Sequence, residues 1–103
     1  MSMHPLDPFR GHETAIAVIC AQHQVAELAV FGSVARGEAG PESDLDLLVT
    51  FRPDAVVGLL AFNRLRRELE TALERTVDLV PKDGLKPLVR RGVLAEARVL
   101  YAA

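Results

Sequence analysis

Three aspartates stand alone in apolar company. Asp44 and Asp46 lie two apart in a run otherwise made of Leu45, Leu47, Leu48 and Val49, and Asp78 lies between Val77 and Leu79. Side chains alternate along a strand, so both Asp44 and Asp46 project from one face while Leu45, Leu47 and Val49 project from the other. Adjacent carboxylates on such a strand repel each other and resist desolvation unless something positive stands between them. Three carboxylates with water suit a hard cation, Mg²⁺ or Mn²⁺. With no Cys or His nearby, zinc fits less well. Two such ions about 3.5–4 Å apart clamp the attacking and leaving oxygens of an in-line phosphoryl displacement.

A second group of residues suits the phosphates of such a reaction. Leu28, Ala29, Val30 and Phe31 form an apolar run of strand length, stopped by Gly32 and followed at once by Ser33. Gly32 has no Cβ, so backbone can approach a phosphate closely, and Ser33 can donate from both N–H and Oγ. Arg36 adds a clamp for non-bridging oxygens. Each piece alone is common: Gly-Ser occurs widely, and Asp-x-Asp also occurs in calcium loops. An EF-hand loop needs further oxygen ligands and a terminal Glu at fixed spacing, and these are missing. The order carries the signal: strand, Gly-Ser, ten residues, Asp-Leu-Asp in a strand, a helix, then Val-Asp-Leu in another strand.

The elements that position these groups follow from periodicity. Ala15, Ile16, Ile19, Cys20 and His23 recur at helical spacing, which predicts an amphipathic helix from residue 12 to about 25, with Cys20 a buried thiol and His23 a border imidazole. Residues 36–43 are polar and rich in turn formers. The second strand runs to about Phe51 and is closed by Pro53, with Asp54 placed to cap the next helix. That helix is expected over about 55–75, with Leu59, Phe62, Leu65, Leu69, Ala72 and Leu73 on its apolar side and Arg64 paired with Glu68 on its solvated side. A strand over 76–80 ends at Pro81, a helix runs from Pro87 to about Ala97, and residues 99–101 make a short edge strand. Gly92 either weakens that last helix or caps it. The fold class is α/β (α+β): a small mixed sheet of three to four strands packed with helices. If the second and third strands are neighbours, Asp44, Asp46 and Asp78 converge on one face.

Composition narrows the setting. The 103 residues fit one domain, half are hydrophobic and a quarter charged, and the net charge is −2. Residues 1–11, with Pro5, Pro8 and Gly11, read as a flexible lead-in, and residues 12–103 as a single domain. A pI near 5.9 argues against strong nucleic-acid binding. The lone cysteine excludes an internal disulfide, and no apolar run approaches membrane-spanning length or forms a signal-peptide core, so a cytoplasmic protein is expected.

The run GSVARGEAGPESDLDLLV resembles the signature of the polymerase β-like nucleotidyltransferases and, within them, the minimal nucleotidyltransferases, small stand-alone domains often paired as antitoxins with a HEPN-domain toxin. The resemblance covers residues 12–101. It implies catalytic and metal-binding roles for Asp44, Asp46 and Asp78, with Asp78 at the metal that activates the acceptor, and nucleotide binding by Gly32, Ser33 and Arg36. It further implies a Mg²⁺-dependent transfer of AMP from ATP to a tyrosine of the partner toxin, a type VII-like antitoxin activity. The alternative is a binding module that neutralises its toxin by occlusion. A nucleotidyltransferase acting on a small molecule or on RNA is disfavoured by the missing substrate domain and by the acidic pI.

Overall fold

A computed structural model describes residues 4–103. After a 3₁₀ turn at Asp7–Phe9 come α1 (Glu13–Gln22), β1 (Val25–Phe31), α2 (Gly32–Ala35), β2 (Leu45–Phe51), α3 (Leu59–Leu73) and β3 (Val77–Pro81). A second 3₁₀ turn, Lys82–Gly84, leads to α4 (Pro87–Glu96) and β4 (Arg98–Ala102). The sheet is mixed, ordered β3-β2-β1-β4, with β1 antiparallel to both β2 and β4, and β2 parallel to β3. The chain passes from β1 to its antiparallel neighbour β2 through α2 and the loop after it, β4 returns from the end of the chain to pair with β1, and α3 is the crossover that the parallel pair requires. The expected mixed sheet with packed helices is therefore present, and β2 and β3 are neighbours.

Alternation divides the sheet into two faces. Leu28, Val30, Leu45, Leu47, Val49, Val77 and Leu79 are buried in one core with Ile16, Ile19 and Cys20 of α1 and Leu65, Leu69 and Leu73 of α3. Asp46 and Asp78, one residue out of phase with these, stand on the opposite face. Cys20 is fully buried, and burial pushes its thiol up to about 12, as expected of a packing cysteine rather than a reactive one.

Several boundaries differ from those expected. The first helix stops at Gln22, because Gln24 takes a left-handed φ of 60° and turns the chain directly into β1, which starts at Val25 rather than Leu28. The third helix begins at Leu59 with Gly58 as its N-cap, so Asp54 caps nothing, and Leu59 stays 75% exposed instead of joining the apolar side. Gly92 lies inside α4 and is not a cap. Glu68 reaches His23 across the α1–α3 contact (2.7 Å) instead of pairing with Arg64, and the i,i+4 pair on α3 is Arg66–Glu70.

The flexible lead-in also needs correction. Residues 1–3 of that segment lie outside the described residues, but Phe9 is 3% exposed and belongs to the core, with Leu6 packed beside it. The prolines that suggested a loose segment instead set a 3₁₀ turn, with Pro8 in its first positions. Phe9→Leu is expected to lower stability by about 1 kcal/mol, read as a shift in urea midpoint at unchanged slope. A flexible residue would shift nothing. Among the described residues, no helix is long and apolar enough to cross a membrane.

Candidate active site

The site begins where β1 ends. Phe31 is extended, and Gly32 then takes φ +73°, which swings the chain into the single turn of α2. Glu38 N–H donates to the Ser33 carbonyl (2.9 Å) and Arg36 N–H to that of Gly32 (3.1 Å), closing the turn on itself. The register pairs Phe31 with Asp46 on β2, so the Asp46 carboxylate comes to rest against Gly32. A Cβ on Gly32 would stand 2.2 Å from Asp46 Oδ2. The glycine is there for the aspartate as much as for any phosphate.

Across the parallel pair, Asp46 stands directly opposite Asp78. Adjacent strands lie about 4.8 Å apart, so the two carboxylates are neighbours on one face. Asp44 precedes β2 by one residue and is exposed at the strand's mouth, so it is not itself a strand residue as expected. Burial raises the Asp46 carboxyl above its ordinary range, repulsion from Asp78 and then Asp44 raises it further, Arg36 opposes this, and Glu96 adds to it. These groups therefore sense one another, and negative charge is in excess.

Among the described residues no three His, Cys, Asp or Glu side chains are gathered closely enough to hold a metal ion. The donor chemistry nevertheless fits a hard divalent cation: carboxylates only, one of them held against its charge by two others. Asp46 and Asp78 would supply the facing oxygens, and Asp44 the third from the strand's mouth.

Two groups of contacts that position the site gave no signal in the sequence: those of Arg75 and Glu70 at the starts of β2 and β3, and those of Glu96 at the glycine turn. Arg75, just past α3, donates from Nη2 to the carbonyl of Gly40 (3.3 Å) and to that of Ser43, tying down the loop that delivers Asp44. Glu70 accepts the N–H of Val77 (2.9 Å), and Leu45 N–H donates to the Thr76 carbonyl (2.9 Å), so the starts of β2 and β3 are locked together. Glu96, at the end of α4, accepts the Gly32 N–H (3.0 Å) and pairs with Arg36 (3.0 Å). Arg36 also donates to Glu38 (3.2 Å), and these two acceptors hold its guanidinium more firmly protonated than usual. Nothing in the spacing of Glu96, fifty residues after Asp46, links it to the aspartates.

Known proteins resemble this chain in sequence and fold. The protein adenylyltransferase MntA of Thermococcus cleftensis is 46% identical over 72 residues, 70% of this chain and 71% of that protein. A solved structure assigned as a minimal nucleotidyltransferase is 45% identical and superposes with a TM-score of 0.75, covering 93% of this chain and 95% of the other. The fold alone is shared with an MNT antitoxin solved in complex with a tri-AMPylated Shewanella oneidensis HEPN toxin: TM-score 0.65, 20% identity, 89% of this chain and 71% of the other. Residues 13–100, which carry the glycine turn and all three aspartates, match the nucleotidyltransferase domain family, and the chain belongs to it.

Proposed function

We propose that this nucleotidyltransferase moves AMP from Mg²⁺-bound ATP to a tyrosine hydroxyl of a HEPN-domain toxin and so silences the toxin in the cytoplasm. The observation that carries the reading is Asp46 facing Asp78 across the parallel strands, with the Gly32 turn directly against Asp46. Similarity to a protein adenylyltransferase supports the donor and the protein acceptor, and the shared fold of an antitoxin bound to an AMPylated HEPN toxin supports the partner.

In this reading Ser33 N–H and Oγ, with Arg36, hold the triphosphate in line, and Asp44, Asp46 and Asp78 hold the divalent cation. The cation supplies charge neutralisation at the α-phosphate and at the departing oxygen. The tyrosine oxygen forms a bond to the α-phosphorus, the bond from that phosphorus to the β-bridging oxygen breaks, and pyrophosphate leaves. Asp78, exposed on the edge strand, takes the tyrosine proton. The acceptor reaches the site from outside the chain, which agrees with an aspartate pair open on one sheet face.

The test uses the toxin encoded beside this gene, Mg²⁺, and ATP labelled at either the α- or the γ-phosphate. Label is expected on the toxin only from the α-position, and Asp78→Asn is expected to cut the rate by about 10²-fold or more. Full neutralisation of the toxin by Asp78→Asn, with no label transferred by the wild type, would establish occlusion instead.

A further inference from the structure

Glu96 ends a helix with no buried residue: Leu88 is 97% exposed and Val89 50%. Its own carboxylate is turned inward, with the side chain only 26% exposed. One oxygen accepts the Gly32 N–H at 3.0 Å and the other accepts from Arg36 Nη1 at 3.0 Å. A single carboxylate thus ties the backbone of the glycine turn to the guanidinium four residues further on.

The donors it uses are informative. Ser33 N–H and Oγ, and both N–H groups on Arg36 Nη2, have no protein acceptor among the described residues, while Nε is held by Glu38 and Nη1 by Glu96. A guanidinium held at both Nε and Nη1 presents the Nη2 group that stands between them. Left alone, a half-exposed arginine would lose its rotamer freedom only when the nucleotide arrived. A fourth acid beside three aspartates also raises the charge on a site that must receive a triphosphate, and such an acid is tolerable only while a cation such as Arg36 neutralises it.

We propose that Glu96 is a positioning residue for the nucleotide: it holds Arg36 against the Gly32–Ser33 turn so that its Nη2 group meets the triphosphate. This rests on the nucleotidyl-transfer reading above. The competing role, a carboxylate sitting where a phosphate belongs, predicts the opposite sign, since its removal would tighten binding.

Titration calorimetry with α,β-methylene-ATP and Mg²⁺, whose α–β linkage cannot be cleaved, separates the two. The variants are E96Q, R36A and R36A/E96Q, each in the full chain. Glutamine keeps an oxygen for the Gly32 N–H but cannot accept from Arg36 with its amide nitrogen, so the turn is preserved and the guanidinium released. E96Q is expected to weaken binding about 5–20-fold with its thermal midpoint close to the wild type's, and to raise the KM for ATP in label transfer with little change in kcat. R36A/E96Q is expected to bind no more weakly than R36A alone, because the glutamate acts through the arginine. Unchanged or tighter binding by E96Q, or a double variant whose losses multiply, would overturn the positioning role while leaving nucleotide binding by the wild type intact. A wild type that does not bind the analogue would overturn the nucleotide reading and this inference with it.

Discussion

Asp46→Asn is expected to lower nucleotidyl transfer by at least about 10³-fold while leaving the metal-free protein more stable, not less, at neutral pH. The two effects share one cause. Asp46 lies between Gly32 on one side and Asp78 on the other, with Asp44 nearby, and burial and repulsion together raise its carboxyl. A group whose folded-state pKa lies above its unfolded value contributes most to stability when protonated, and that contribution is lost as pH rises through the folded value. In EDTA the wild type should therefore match Asp46→Asn only at the acid end, below the ordinary aspartate range, and fall behind it in thermal midpoint as pH rises and the carboxylate ionises, with the gap constant once ionisation is complete. Mg²⁺ should close the gap by stabilising the wild type, and do little for the asparagine variant, which lacks the charge. Thermal melts across pH 3–8, with and without Mg²⁺, read both arms. A variant less stable than the wild type in EDTA at pH 7 would mean that Asp46 is structural rather than electrostatically frustrated.

What was legible in the sequence was whatever repeats locally. Alternation put Leu45, Leu47 and Val49 on one face and Asp46 on the other, and the core confirms it. The same period placed Asp78 out of phase with Val77 and Leu79. The adjacency of β2 and β3 was only a condition at that level, because pairing between distant strands leaves no local trace. The register that sets Asp46 opposite Asp78 came from the fold. Contacts made by a single long side chain were invisible for the same reason: Arg75 to the 40–43 loop, and Glu96 to Gly32 and Arg36, obey no spacing rule. Phe9 failed differently. Its neighbouring prolines suggested disorder, but a proline pre-sets φ for a 3₁₀ turn as readily as it breaks a helix, and one buried ring is enough to hold the segment. Asp54 failed because a good capping residue is only a candidate until the chain turns there, and the chain turns at Gly58.

Gly32→Ala concentrates these arguments at one atom. The substitution adds a single methyl group, and two independent penalties follow. The backbone sits at φ +73°, where an L-residue with a Cβ is strained by about 1–2 kcal/mol. The methyl would also stand 2.2 Å from Asp46 Oδ2, 3.0 Å from Cγ and 3.3 Å from Cβ, so either the carboxylate rotates away or the turn opens. Gly11 separates the two: its φ is +82°, but nothing lies within 4 Å of where its Cβ would go. Gly11→Ala should therefore cost about 1–2 kcal/mol from strain alone and leave transfer untouched. Gly32→Ala should cost about 2–4 kcal/mol, about 10–20 °C in thermal midpoint for a domain of this size. Its transfer rate should fall about 10²-fold or more even where the protein remains folded, because a carboxylate displaced by an ångström no longer faces Asp78. Melting curves and label transfer on both variants, assayed well below either midpoint, check the pair. Equal stability losses with activity retained in Gly32→Ala would show that the turn needs its glycine only for backbone conformation. The expected result, extra destabilisation together with lost transfer, would show that the glycine is kept free of a side chain so that Asp46 can stand against the turn proposed to hold the phosphates.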